Sequence, residues 1–217
     1  MYMMLPMSKH ADGGLGAMGD AYKSAADELE KINTATLQHL PICFLRRHAV
    51  ELYLKSITFL LHKTFPSEHT LPKENDHDLV NLDNYIIEKL KTNAKILHER
   101  SKHKPDFSWN QELSGEIGYI NDFDSRSTYF RYPITKDKAK DHKKEQTHET
   151  SQEEIQKDIA DDRKGAFLIV ETPDGNIKEM YRWGDDYDQE VYSRLKNLTE
   201  MLSGYHMMLR MEIFGLW

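Results

Sequence analysis

The sequence predicts an all-α protein, a bundle of four to five helices that carries a β-hairpin before its last helix. Apolar residues recur at three- and four-residue steps over several long segments, as on the buried face of a helix. Amphipathic helices of this kind pack together as a bundle. Two short apolar runs flank Pro173-Asp174-Gly175-Asn176, and an Asp-Gly pair between such runs is typical of a β-hairpin.

The helices are predicted in order from their apolar stripes and their end signals. The second is the strongest, because it is the longest apolar pattern in the chain. His77-Asp78 opens the third, and a shorter fourth precedes the segment that contains Asp124. The approximate bounds of the five are 19–32, 36–63, 77–99, 111–122 and 188–214.

The domain organisation follows from composition. Residues 1–17 end in a glycine-rich run and are predicted to be a flexible leader, and residues 18–217 are predicted to form a single helical domain. Residues 136–164 are crowded with charged side chains and have almost no large apolar residue, which favours a solvated or disordered insertion. The predicted hairpin covers residues 166–183.

Charge and cysteine content restrict the function classes. The formal charge of −7 argues against a broad nucleic-acid-binding face but allows a local basic pocket. The single cysteine, Cys43, excludes an intrachain disulfide, and no run approaches the ~20 apolar residues of a membrane span. We therefore expect a cytoplasmic protein. The eleven histidines form no His-Glu-x-x-His motif, so neither a metal nor another cofactor is predicted.

A polar stripe on the second helix is the first candidate site. Arg47, Glu51 and Lys55 follow one another at four-residue intervals, which places them on one helix face. Two interpretations remain open: an exposed ladder of ion pairs, and a partly buried ligand-binding group.

A second candidate follows the fourth helix. Arg126, Arg131 and Tyr132 could hold a phosphate, because guanidinium groups bind phosphate through two parallel hydrogen bonds. Alternatively, Asp122 and Asp124 neutralise these arginines in a turn fixed by the proline that follows Tyr132.

Three segments together resemble the HEPN (higher eukaryotes and prokaryotes nucleotide-binding) superfamily. They are Arg47-His48-Ala49-Val50-Glu51-Leu52-Tyr53-Leu54-Lys55, then His77-Asp78-Leu79, then Phe130-Arg131-Tyr132-Pro133. The resemblance covers roughly residues 36–133 and the last helix. It implies a small helical bundle, often a homodimer, of the kind common in bacterial toxin–antitoxin, defence and RNA-processing systems.

One departure from the family affects the expected activity. Active HEPN ribonucleases carry an arginine, four to six other residues and then a histidine, and no arginine of this chain has a histidine at that spacing. The resemblance therefore implies a non-catalytic domain that binds RNA or a nucleotide, or that acts as a partner in a toxin–antitoxin or defence-type system. One alternative is a metal-independent endoribonuclease with a variant site of Arg126, Arg131 and Tyr132, where His48 or His77 takes the proton. Another is a purely structural protein-interaction module.

Overall fold

A computed structural model of the chain describes residues 6, 9–32, 39–66, 71–72, 77–132, 135–139, 141, 147–161, 166–183 and 189–215. They form a mostly helical protein with one small antiparallel sheet. In chain order the elements are α1 (Leu15–Ile32), α2 (His39–Thr64), α3 (Leu79–Arg100), α4 (Gln111–Phe123), β1 (Thr147–Glu149), α5 (Gln152–Ala160), β2 (Ala166–Glu171), β3 (Ile177–Trp183) and α6 (Gln189–Phe214). The chain divides into two compact units, one of residues 1–131 with 191–217 and one of residues 132–190.

The five predicted helices are confirmed as α1, α2, α3, α4 and α6, with ends that differ by a few residues. Short polar side chains set two of the starts. Asp78 accepts hydrogen bonds from the backbone amides of Val80 and Asn81 at the start of α3, and Asn110 accepts one from Leu113 at the start of α4. Each of these side chains satisfies an amide that the helix itself leaves unpaired.

The leader prediction differs from the structure beyond Lys9. Helix α1 begins at Leu15, and Asp12 is fully buried, with its carboxylate accepting hydrogen bonds from the amides of Gly14 and Gly16. The composition of this glycine-rich run predicts flexibility, but the run leads into a helix. The buried carboxylate accepts hydrogen bonds from amides at the start of that helix. Residues 1–5, 7 and 8 of the predicted leader lie outside the described part of the chain.

Helix α2 lies at the centre of the first unit. It packs against α1 and α3, and its side chains are buried around most of its circumference. Full burial of a leucine or isoleucine contributes roughly 1.5–3 kcal/mol, so these residues are the main source of stability. The fully buried aliphatic side chains of α2 and α6 are Ile42, Val50, Leu54, Ile57, Leu60, Leu61, Leu195, Leu198, Leu202 and Leu209.

The second unit contains the three-stranded antiparallel sheet, in the order β1-β3-β2. The predicted hairpin at 166–183 is confirmed: Phe167 pairs with Arg182, and Gly175 adopts a φ of +80° in the turn. That left-handed conformation is one that glycine adopts without strain. No helix among the described residues combines the length and the apolar character needed to cross a membrane.

The charged segment at 136–164 is more ordered than predicted. It contains strand β1, which pairs with β3, and helix α5, which begins with a capping box of Ser151 and Glu154. Within the same unit Arg182 of β3 forms a 2.7 Å ion pair with the buried Asp158 of α5. The low apolar content hid these elements, because capping and pairing hold them rather than a large core. Residues 140, 142–146 and 162–164 of this segment are outside the described part.

Candidate functional site

The polar stripe of α2 is a buried ion network. The side chains of Arg47 and Glu51 are only 1% and 2% exposed, and Arg47 Nη1 donates to Glu51 Oε2 at 3.2 Å. The other carboxylate oxygen of Glu51 accepts from Lys55 Nζ at 2.8 Å and lies 3.0 Å from His77 Nδ1. Burial excludes the interpretation of an exposed ladder of ion pairs and shows that Arg47 and Glu51 are packed inside the unit.

The network keeps Glu51 ionised. Burial alone raises the pKa of its carboxyl, but the hydrogen bond from Lys55 and the positive charges of Arg47, Lys55 and His77 lower the pKa below its ordinary value. An ionised carboxylate only accepts hydrogen bonds, so the Nδ1–H of His77 donates to it. This bond fixes the ring of His77 and directs its second nitrogen, Nε2, away from Glu51.

One guanidinium joins the two regions that the sequence singled out. Arg47 Nη2 donates to the carbonyl of His77 at 3.1 Å and to the carbonyl of Asp124 at 3.2 Å. His77 lies just before α3, and Asp124 lies just after α4. The side chain of Arg47 therefore brings the stripe, the start of α3 and the end of α4 to one place.

The segment that follows α4 is a compact loop that presents Arg131. The Asp124 carboxylate accepts hydrogen bonds from the amides of Thr128 and Tyr129. Ser127, which lies between Asp124 and these amides in the chain, adopts a φ of +53°. Arg131 Nη2 donates to the Ser127 hydroxyl at 2.8 Å, and its guanidinium carbon lies 5.6 Å from the centre of the Phe44 ring of α2. The Asp124 carboxylate thus holds the loop backbone, and Arg131 rests on α2 by a cation–π contact.

The positive charge of Arg131 affects the pKa values of two residues on α2. Burial is the first cause that lowers the pKa of Arg47 and of His48, and the positive charge of Arg131 lowers both further. The His48 ring packs against Phe44 at 6.0 Å and edge-on against Tyr22 at 4.4 Å. His48 is thereby kept neutral and held among aromatic rings.

The six predicted ligand-binding residues therefore fall into different environments. Arg47 and Glu51 are buried, Lys55 is mostly buried with its side chain 14% exposed, and Arg131 is exposed above them. Arg126 is exposed on the same loop as Arg131. Tyr132 is also exposed and is the first residue of the second unit. The proline of the predicted turn, Pro133, lies outside the described residues.

His77 is the residue that sequence reasoning undervalued. Its place in the sequence indicates only the start of the third helix, whereas its side chain is 42% exposed and bound to a buried carboxylate. Nothing in the local sequence indicated that Glu51 would be its partner.

A second buried cluster had no local signal in the sequence. The Asp12 carboxylate accepts from the Ser56 hydroxyl at 2.6 Å and lies 3.5 Å from His206 Nε2 and 3.8 Å from Arg210 Nη1. Burial alone raises the pKa of this carboxyl, but the nearby His206 ring and the hydrogen bonds from Ser56 and Gly16 hold it far below its ordinary value. The cluster joins the segment before α1 to α2 and α6.

In the part of the chain that the structure describes, no group of three histidine, cysteine or carboxylate side chains is arranged to hold a metal ion. A cavity of about 400 Å³ adjoins the stripe, with Lys55, Phe59 and Leu82 among its lining residues.

Comparisons with known proteins do not identify a relative. No protein-family model, no curated protein and no solved structure matches this chain.

Proposed function

We propose that this chain is a HEPN-like helical protein that binds RNA or a nucleotide through phosphate, without cleaving it. The ligand-binding surface consists of the partly exposed side chain of His77 and the exposed side chains of Arg126 and Arg131, and we call it the phosphate surface. The observation that carries the proposal is the pair of hydrogen bonds from Arg47 Nη2, which bring the backbones of His77 and Asp124 together. The loop that carries both exposed arginines begins at Asp124.

The buried and exposed residues have different roles in this proposal. Arg47 and Glu51 position the surface, because they are packed inside the unit and already have partners. Arg131 contacts the ligand, because a guanidinium has five N–H donors and its bond to Ser127 uses one nitrogen. The remaining donors are suited to a phosphate, which guanidinium groups bind through two parallel hydrogen bonds.

The test is RNA and nucleotide binding by metal-free protein, compared with the Arg126→Ala/Arg131→Ala double variant. We expect the double variant to lose at least about tenfold in affinity, since charge-assisted bonds to phosphate are among the strongest polar contacts. Its thermal stability should change little, because both side chains are exposed. The control is Lys95→Ala, which removes a positive charge from a side chain that is 88% exposed on α3. Equal binding by the double variant and the parent would contradict the proposal.

Cleavage of RNA at a variant site is the second candidate, and the His77–Glu51 pair favours it. The carboxylate of Glu51 fixes Nδ1 of His77, so the partly exposed ring can take up or give back a proton at Nε2. Arg131 would stabilise the negative charge that develops on phosphorus-bound oxygen, because a guanidinium is a cation with several N–H donors.

His77→Asn separates cleavage from binding. The asparagine amide can still donate to Glu51, but it has no group that takes up a proton at neutral pH. If the protein is a ribonuclease of this kind, cleavage is lost in His77→Asn and in Arg131→Ala, while His77→Asn still binds RNA through Arg126 and Arg131. Cleavage that persists in both variants would exclude this site. Binding without any cleavage by the parent supports the first proposal.

The HEPN resemblance also implies a homodimer and a partner from a toxin–antitoxin or defence-type system, and we include both in the proposal. Apolar side chains that a second copy would cover are present on α1, where Met18 is 40% and Ile32 is 66% exposed. The molar mass in solution tests the dimer directly. A protein that binds neither RNA nor nucleotide and co-purifies with another protein would instead be the structural interaction module.

A further inference from the structure

A groove on α3, apart from the phosphate surface, has the character of a ligand site. A cavity of about 590 Å³ lies between the helix and the segment of residues 104–109, and we call it the α3 groove. Its volume is in the range of pockets that hold small molecules. Its apolar lining is formed by Ile87, Leu90, Ala94, Phe107 and Trp109.

The two ends of the α3 groove are lined by different kinds of side chain. Trp109 Nε1 donates to the buried Asp83 at 2.6 Å, which anchors the indole near the first turns of α3. Lys104 comes four residues after the helix ends at Arg100, so it lies at the other end, on the side of His98. The stretch from Ile87 to His98 rises about 16 Å along the helix at 1.5 Å per residue. One end therefore carries the indole of Trp109 and the other carries His98 and Lys104, while Lys91 lies about one helical turn from Ile87.

The charges of the groove favour an anion. Lys91 and Lys104 both line it, and neither takes part in an ion pair within the described part of the chain. The one carboxylate in the lining, Asp106, accepts hydrogen bonds from the amide and the hydroxyl of Ser108 at 2.8 and 2.9 Å. Two lysines that form no ion pair among the described residues thus outnumber the single carboxylate of the lining, in a chain whose formal charge is −7.

We propose that the α3 groove binds a small amphipathic acid, a molecule with an apolar body and one carboxylate. The body lies along Leu90, Ala94 and Phe107, where it removes apolar surface from water. The carboxylate lies at the Lys104 end, and Lys91 adds a second positive charge farther along the same lining. A strand of RNA fits less well, because its repeated phosphates need basic partners along the whole path rather than an apolar lining.

The probe is dodecanoate, used below the concentration at which it forms micelles, with dodecanol as the neutral analogue. Isothermal titration calorimetry on the full chain should show one dodecanoate per protein, and dodecanol should bind more weakly. Lys91→Gln/Lys104→Gln should weaken dodecanoate binding about fivefold, since two partly solvated charges are removed. The matched control is Lys95→Gln, an exposed lysine on α3 outside the groove lining, and it should bind as the parent does.

Ala94→Trp tests the location by filling the groove. Ala94 is exposed on the helix, so the larger side chain occupies the groove without entering the core. We expect dodecanoate affinity to fall by at least about tenfold while the melting temperature is kept. No binding by the parent, or equal binding by parent and Ala94→Trp, would overturn the proposal. Binding of adenosine monophosphate instead of dodecanoate, lost in Ala94→Trp, would overturn the ligand class. None of these variants alters the phosphate surface, so the two proposals fail independently.

Discussion

Replacing Glu51 with glutamine is expected to destabilise the first unit strongly. The change keeps the shape of the side chain but removes the negative charge of the carboxylate, which Arg47, Lys55 and His77 all contact. Arg47 accounts for most of the expected loss of stability, because its side chain is 1% exposed and its charge would remain buried without that counter-ion. Removal of one partner from a buried ion pair costs about 3–5 kcal/mol. Lys55 and His77 contribute less, because their side chains, 14% and 42% exposed, can turn toward water.

The measurement is thermal unfolding at neutral pH, followed by helical circular dichroism. For a chain of this length, 1 kcal/mol changes the melting temperature by roughly 2–4 °C, so we expect a fall of about 10 °C. The control is Glu28→Gln on α1, where the carboxylate is 71% exposed and pairs with Lys31 at the surface. That substitution should cost less than about 1 kcal/mol. If Glu51→Gln melts at the same temperature as Glu28→Gln, the argument for a buried, charged network is wrong.

The acid dependence of the same variant gives an independent check. The folded pKa of Glu51 lies below its ordinary value of 4.5, so the ionised carboxylate contributes stability that is fully present above pH 4.5. The contribution is lost as the pH falls through the folded pKa, because the unfolded chain binds the proton first. The melting temperatures of the parent and Glu51→Gln should therefore converge in acid. A difference that stays constant from neutral pH into acid would show that charge is not the cause.

Two further predictions concern the cluster around Asp12. Gly16→Ala should lower the free energy of unfolding by about 1–3 kcal/mol, because a Cβ at Gly16 would clash with the buried His206 ring. The control is Gly204→Ala on α6, where the new Cβ meets open space, so this variant should be neutral or stabilising. Thermal melts of the two variants give the comparison. Asp12→Asn should cost about 3–5 kcal/mol at neutral pH and should remove an acid-dependent loss of stability, because the folded pKa of Asp12 lies below its ordinary value of 3.8. Urea unfolding from neutral pH into acid tests this, and an unchanged pH profile in the variant would contradict it.

Local signals account for the elements that sequence reasoning predicted well. The β-hairpin followed from Asp174-Gly175, because the turn needs a positive φ that glycine supplies, and Gly175 has a φ of +80°. The start of α3 followed from Asp78, whose side chain needs only the next two or three amides. The elements β1 and α5 were missed, because their segment lacks the apolar periodicity on which the prediction depended.

The predicted flexible leader shows the limit of local signals. A glycine-rich run without partners favours disorder, yet Asp12 next to it is buried by Ser56, His206 and Arg210. All three partners belong to helices far along the chain. Composition cannot show that a carboxylate will be surrounded by such partners, so the start of α1 at Leu15 was not predicted.

The sequence by itself determined the helices, the hairpin and the two polar groups that became candidate sites, because periodicity, capping and turn chemistry act over a few residues. The tertiary structure decided what those polar groups do. Arg47 reaches the carbonyl of Asp124, 77 residues away, and the packed helices bury Arg47 and Glu51 while Arg131 stays at the surface. Burial and charge pairing are properties of packed neighbours, and a chain alone does not specify which of its distant residues those will be.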